Sequence, residues 1–147
     1  MTTSIILLSG TGGYVDMAGP QIPANGYYGF NDGLHTISIF VQNFIGRVYI
    51  EASLENNPAE TDWFPIIINP TGDPFLQFPI NPANPTGDPT YGGDTAVLGF
   101  SFTYNILWLR ARMDRSHYLI SEPWTDTQFL ADHLSDYGVV KKILLAR

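Results

Sequence analysis

The segment RVYIEASL, at residues 47–54, indicates the fold class, because its polar and apolar side chains alternate without interruption. One face of this segment is apolar and carries Val48, Ile50, Ala52 and Leu54. The opposite face is largely polar and carries Arg47, Tyr49, Glu51 and Ser53. Successive side chains of a β-strand point to opposite faces, so this pattern predicts a half-buried strand.

The same alternation recurs on both sides of that segment. Residues 35–41 (HTISIFV) place Ile37, Ile39 and Val41 on one face, and the short link at 43–46 is interpreted as a hairpin turn. Residues 34–54 are therefore predicted to form two antiparallel strands. Residues 98–104 and 107–113 alternate in the same way and are interpreted as a second pair, with a turn or bulge at Asn105.

The remaining segments complete a single all-β domain over residues 1–147. Residues 63–68 are predicted to form a further strand, residues 3–8 to open the sheet and residues 139–145 to close it. Only residues 127–135 have a pattern compatible with a short helix. Seven or eight strands at this spacing predict a β-sandwich of jelly-roll or similar topology.

A long Pro/Gly-rich segment at residues 69–94 interrupts the strand pattern. It contains the hexapeptide NPTGDP twice, at 69–74 and 84–89, and each copy is expected to form a turn. Residues 75–80 between them are either an edge strand or part of an extended arm. We favour an arm that docks onto a neighbouring subunit, with Phe75, Phe78 and Tyr91 exposed as interface residues.

Composition favours a protein that is covered by partners. Charged residues form 14% of the chain, against about 25% in typical soluble domains, and aromatic residues also form 14%. Such a surface is expected to be buried by other subunits.

The net charge of −7 argues against nucleic-acid binding, because phosphates are held by clustered Lys and Arg. No apolar run reaches the ~20 residues that span a membrane, and the start lacks the basic region of a signal peptide. We therefore expect a protein that stays in the cytoplasm or leaves it by cell lysis.

No residue pattern indicates catalysis, a metal or a cofactor. The chain has no cysteine, and His35, His117 and His133 lack the spacing of a metal pair. The GxSxG, HExxH and P-loop motifs are missing from the sequence. A calcium site in the Pro/Gly-rich segment, and a hydrolase that uses a carboxylate pair, remain minor alternatives.

A face that combines arginines with an indole is the main interface candidate in the strands. Trp108, Arg110 and Arg112 lie opposite Leu109 and Ala111, and hence outside the core. This face is either solvated or meets acidic residues of a neighbouring subunit. The acidic candidates are Glu51, Glu55, Glu60 and Asp62.

The aromatic residues allow two interpretations. Exposed rings can stack on sugars, but they are also enriched in protein–protein interfaces, which we favour. The candidates for either role are Tyr27, Tyr28, Phe30, Trp63, Tyr91, Trp108, Tyr118 and Trp124.

Several segments resemble a known class of proteins. They are GYYGF at 26–30, DGLHT at 32–36, VYIEASL at 48–54, ETDWF at 60–64, YNILWLRAR at 104–112 and GVVKKILL at 138–145. Together they resemble small virion structural proteins of tailed bacteriophages, especially contractile-tailed phages that infect cyanobacteria. The resemblance implies a β-sandwich subunit of a head decoration, neck, tail or baseplate, and it carries no active-site residues.

The first functional hypothesis is therefore a non-enzymatic virion subunit. It would be assembled in the host cytoplasm, bind other virion proteins and form a trimer or another cyclic homo-oligomer, without contacts to nucleic acid or membrane. The alternative is a carbohydrate-binding module on a phage tail or fibre that recognises host surface glycans.

Overall fold

A computed structural model of the chain describes residues 4–12, 14, 16–68, 72–78, 93–115 and 137–146. The described residues form ten strands, which we number in chain order. They are β1 (Ser4–Ser9), β2 (Asp16–Ala18), β3 (Ile22–Pro23), β4 (Leu34–Phe44), β5 (Gly46–Ser53), β6 (Phe64–Pro65), β7 (Leu76–Phe78), β8 (Asp94–Thr103), β9 (Trp108–Asp114) and β10 (Val139–Ala146). Two 3₁₀ turns accompany them, at Asn25–Tyr28 and Glu60–Asp62.

The strands form two antiparallel sheets that pack together as a β-sandwich, as predicted. The first sheet has the strand order β1-β10-β4-β8. The second sheet has the order β2-β9-β5-β6, with β3 also paired to β9 and β7 also paired to β5. The jelly-roll connectivity stays a prediction.

The two predicted strand pairs are wrong in their pairing, although their strands exist. β4 and β5 lie in different sheets, and so do β8 and β9. The link between β4 and β5 is a buried corner at which Ile45 donates its N–H to the Tyr137 carbonyl at 3.0 Å. A Cβ on Gly46 would lie 2.7 Å from the Phe44 ring, so the corner requires glycine. Alternation defines the inward face of a strand but does not determine which strand lies beside it.

The predicted inward faces are confirmed. The predicted inward side chains of β5 and β9 are fully buried. They are Val48, Ile50, Ala52, Leu109 and Ala111. They face a second apolar layer from the first sheet, formed by Ile37, Ile39, Val41, Ile143 and Leu145. Leu107 is only partly buried. Leu54, which was expected to point inward, is 60% exposed because β5 ends at Ser53.

Part of the predicted arm belongs to the sandwich. β7 pairs with β5, with Leu76 beside Val48 and Gly46 beside Phe78. Phe78 is fully buried and its ring centroid lies 5.5 Å from that of Phe44, so the prediction that it is exposed is wrong. The reason is that Leu76 and Phe78 alternate with Gln77 and point to the core.

Other predictions have mixed outcomes. β1 and β10, predicted as the first and last strands of the chain, both exist and pair with each other in the first sheet, where β10 is an inner strand. The strand predicted at 63–68 is limited to β6, after which Ile66 donates its N–H to the Ile50 carbonyl. The predicted helix at 127–135, Tyr91 and the second NPTGDP copy at 84–89 lie outside the described residues.

Candidate functional site

The outer face of the second sheet holds the predicted arginines in cross-strand register with β5. The facing pairs are Arg47 with Asp114, Tyr49 with Arg112, Glu51 with Arg110, and Ser53 with Trp108. Directly opposite side chains in an antiparallel pair are close enough to interact. The alternation of both strands therefore brings the arginines, a carboxylate and aromatic rings together on one surface.

Arg110 is neutralised within its own chain. Its Nε donates to Glu51 Oε1 at 2.9 Å, and its Nη1 donates to both Glu60 carboxylate oxygens at 3.1 Å. The guanidinium also lies 4.4 Å from the centroid of the Trp63 ring. Only 7% of Arg110 is exposed. The interpretation of a solvated face is wrong for this residue, because Glu51 and the turn Glu60–Asp62 supply carboxylates from the same chain. A contact of Arg110 with a neighbouring subunit stays a prediction.

Arg112 and Arg47, which lie further along this face, also contact aromatic rings. Arg112 lies 4.2 Å from the centroid of the Tyr49 ring and forms ion pairs of 3.5 Å with Asp16 and Glu51. Arg47 lies 4.0 Å from the centroid of the Phe75 ring, which is itself partly buried. Such cation–π contacts stabilise more strongly when they are shielded from water. This face is therefore an internally satisfied layer that covers the second sheet.

The most exposed aromatic residues lie at one end of the sandwich. Tyr27, Tyr28 and Phe30 are 53%, 49% and 60% exposed. The Tyr27 ring contacts Trp108 at a centroid distance of 4.9 Å and Tyr28 at 5.1 Å, and Tyr28 in turn lies 6.5 Å from Phe30. We call these four residues the aromatic end. Exposed Leu54 lies at the same end of the sandwich, where β5 stops.

Backbone contacts hold the turn that carries the tyrosines. Ala24 and Gly26 donate their N–H groups to the carbonyls of Leu107 and Ile106 at 2.8 and 3.0 Å. A Cβ on Gly26 would lie 2.4 Å from the Ile106 carbonyl oxygen, so this close approach requires glycine. The turn is therefore fixed against the link between β8 and β9.

The buried side chain of His35 also holds this turn through hydrogen bonds. His35 Nδ1 lies 2.7 Å from the Gly33 carbonyl oxygen, to which it donates, and its Nε2 accepts from the Asn25 N–H at 3.2 Å. Burial lowers the pKa of His35, which agrees with a neutral ring whose Nε2 is an acceptor. The ring stacks on Phe102 at 5.3 Å. His35 is therefore a packed histidine that positions the aromatic end.

Three of the six predicted interface residues are held inside the sandwich or its covering layer, namely Phe75, Phe78 and Arg110. Arg112 is partly exposed, Trp108 belongs to the aromatic end, and Tyr91 is not among the described residues. Tyr27, Tyr28 and Phe30 belong to the eight aromatic residues predicted for an interface or a sugar site, but not to the six favoured interface residues. The signal that identifies them is the segment GYYGFNDG at 26–33, whose glycines and polar residues cannot enclose the rings.

Within the described part of the chain, no group of three or more His, Asp or Glu side chains could hold a metal ion. No helix in this part is long and apolar enough to cross a membrane. A shallow groove of about 180 Å³ lies on the first sheet, lined by Phe40, Val41, Thr95, Ala96, Val97 and Lys141. No protein-family model, curated protein or solved structure matches this chain.

Proposed function

We propose that this chain is a non-enzymatic structural subunit of a tailed-phage particle, assembled through symmetric protein–protein contacts. The observation that carries the proposal is the aromatic end, where Tyr27, Tyr28 and Phe30 are about half exposed and adjacent. Contiguous exposed apolar patches mark interaction sites, and tyrosine and tryptophan are enriched among the residues that dominate binding energy.

The hydrogen bonds that hold the turn under this patch support a binding role. Asn25 Nδ2 donates to the Leu34 carbonyl at 2.9 Å, and the turn ends at Gly29, whose φ of 80° is in the left-handed region. A surface that is already ordered loses less conformational entropy on binding. Arg110 and Arg112 of the second sheet, by contrast, already have carboxylate partners in the chain, so the aromatic end is the better candidate for contact with another subunit.

Recognition of host glycans is the second candidate, because the exposed tyrosines lie beside the polar residues Asn31 and Asp32. Stacking on a sugar needs a flat ring face that is open to solvent. The planes of Tyr27 and Tyr28 are at 86° to each other, so one ring presents its edge to the face of the other. This edge-to-face packing, also common in protein interiors, favours a protein partner over a flat sugar platform.

The proposal is tested on the phage that encodes the chain. Antibodies raised against the purified protein should detect it in gradient-purified particles and label one fixed location by electron microscopy. Failure to find the chain in purified particles would overturn the proposal. Binding of the isolated protein to a glycan array, abolished by Tyr27→Ser, would favour the second candidate instead.

A matched pair of variants tests the site itself. Tyr27→Ser with Tyr28→Ser should prevent incorporation into particles while the free subunit melts at nearly the same temperature, because both side chains are half exposed. Tyr14→Ser is the control, since Tyr14 is 44% exposed and lies outside the aromatic end. Normal incorporation of the double variant would exclude the aromatic end as the assembly surface.

A further inference from the structure

The outer edge of the first sheet has the properties of a pairing surface. β8 pairs with β4 along its length, from Thr103 beside Leu34 to Asp94 beside Phe44. Among the described residues, no strand pairs with its other side. Its residues 95–103 contain neither a charge nor a proline. Over residues 95–103, the N–H and C=O groups that point away from β4 therefore have no strand partner within the described part of the chain, and natural proteins usually block such an edge.

The opposite edge of the same sheet shows what such protection looks like. β1 is a six-residue strand, and its register with β10 shifts between Ile6 and Leu8, which marks a β-bulge. A bulge bends and twists an edge so that a further strand cannot add regularly. β8 is ten residues long, and its pairing with β4 is regular from Thr103 to Ala96. The two edges of one sheet therefore differ in their capacity to accept another strand.

The distribution of charge favours a second copy of the chain as the partner. The chain has a net charge of −7, so two copies repel each other in most orientations. The strands of the first sheet contain one carboxylate, on Asp94, and two lysines, Lys141 and Lys142. Repulsion between two copies is consequently weakest where their first sheets meet edge to edge.

We propose that β8 pairs antiparallel with β8 of a second copy, with the two-fold axis at Gly99, so that two four-stranded sheets become one of eight strands. This inference stands independently of the proposed virion role. A two-fold interface brings the same surface of both copies together, which requires a strand that is compatible with itself. β8 meets this requirement because its uncharged residues 95–103 are symmetric in length about Gly99.

The alternation of β8 restricts the register. Side chains that face each other must lie on the same face of the joined sheet, and a shift by one residue would bring inner side chains opposite outer ones. With the axis at Gly99, outward Val97 faces the partner's Ser101, and inward Leu98 faces the partner's Phe100. Leu98 and Phe100 are only partly buried in the single chain, and the added strand would cover them.

Gly99 permits a direct test of this register by a single cysteine. The chain has no cysteine of its own, and a Cβ on Gly99 meets nothing closer than the Ile37 carbonyl oxygen at 3.9 Å. Facing residues in an antiparallel pair have Cα atoms about 4.5–5.5 Å apart, within the range that a disulfide spans. Two copies of Gly99→Cys should therefore form a covalent dimer under mild oxidation.

The controls are two other single cysteines. In the proposed register, the two copies of position 97 are separated by four residues, or about 13 Å, so Val97→Cys should not cross-link to itself. Ile6→Cys places an exposed thiol on the protected edge. Thiols that face each other have an effective concentration of about 1 mM or more, so at about 10 μM protein Gly99→Cys should cross-link ~100-fold faster than either control. Equal rates for all three variants would overturn the proposal.

Charge substitutions provide a second test that does not depend on oxidation. Val97→Lys with Ser101→Lys places like charges opposite each other twice, and we expect the dimer dissociation constant, measured by sedimentation, to rise at least about tenfold. Val97→Lys with Ser101→Glu should restore the dimer, because each lysine then faces a glutamate. Ser4→Lys with Ile6→Lys adds the same charge to the β1 edge and should leave the dimer intact.

Two outcomes contradict the inference. A wild-type chain that sediments as a monomer at all concentrations would mean that the β8 edge is covered by another part of the same chain or is left unpaired. A dimer that is weakened equally by the β8 and β1 lysine pairs would place the contact elsewhere. Circular dichroism and thermal melting of every variant separate loss of pairing from loss of folding.

Discussion

The two ends of the sandwich differ in how far their side chains are buried. At one end, Arg115 is completely buried and donates to four backbone carbonyls, those of Thr11, Tyr14, Tyr137 and Gly138, at 2.7–3.0 Å. We call this group the arginine end. At the aromatic end, the rings of Tyr27, Tyr28 and Phe30 remain about half exposed. One end is closed by internal hydrogen bonds, and the other presents apolar surface to the outside.

The two ends differ because the arginine end buries backbone carbonyl groups, whereas the aromatic end leaves rings at the surface. The arginine end gathers the links that precede β2 and β10, and their carbonyls need donors once they are removed from water. A guanidinium carries five N–H donors in a planar fork, so a single side chain can satisfy several carbonyls at once. The rings of Tyr27, Tyr28 and Phe30 remain about half exposed in the folded chain, so a partner could bury the rest of their surface.

The largest expected effect concerns Arg115 itself. Arg115→Met should lower the free energy of unfolding by about 3–5 kcal/mol, because it leaves several buried carbonyls without these donors. Urea denaturation measures this directly. Arg112→Met is the control and should cost about 1 kcal/mol or less, since Arg112 is partly exposed and its ion pairs are 3.5–3.7 Å long. A loss below about 1 kcal/mol for Arg115→Met would show that water replaces its hydrogen bonds.

Alanine substitutions at two glycines with similar backbone angles test how tightly each end is packed. Gly138 and Gly29 have φ values of 61° and 80°, so alanine is strained at both by about 1–2 kcal/mol. A Cβ on Gly138 would lie 2.0 Å from the Asn43 carbonyl oxygen, whereas a Cβ on Gly29 meets nothing within 4 Å. Gly138→Ala should therefore destabilise the protein by about 1–3 kcal/mol more than Gly29→Ala in urea denaturation. Equal losses would mean that the arginine end can adjust.

A smaller effect is expected from pH through His35. Burial lowers the pKa of this ring below its ordinary value of 6.5, so the unfolded chain binds the proton more readily than the folded one. The free energy of unfolding should consequently fall as the pH drops below about 6.5. His35→Gln should show a weaker loss between pH 7.5 and pH 5.5 than the wild type. An identical loss in both would assign this pH dependence to carboxylates.

The smallest effect on stability is expected at the aromatic end. Tyr27→Ser with Tyr28→Ser should change the free energy of unfolding by about 0.5–1 kcal/mol, because both rings are half exposed and lose mainly their contacts with each other and with Trp108. Thermal melting measures this change. A loss as large as that of Arg115→Met would mean that the aromatic end is part of the core rather than a surface for a partner.

The sequence by itself determined which side of each long strand faces the core. Val48, Ile50, Leu109 and Ala111 are buried as their alternation predicts, because the period of two residues is a local property of an extended chain. It also determined the fold class, since strands at this spacing need a second sheet against which to bury their apolar faces. Gly and polar residues around Tyr27 likewise give local reasons for its exposure.

Only the tertiary structure decided which strands and charges are partners. A two-sheet corner and a hairpin have the same alternation and similar link lengths, so the pairing of β4 and β5 with other strands could not be predicted locally. Arg110 was expected to lie on the surface, but a turn from fifty residues earlier supplies Glu60. Phe78 is buried because β5 is free to accept β7 along its edge. Contacts between residues distant in sequence depend on the packing of the whole sandwich, which no local pattern encodes.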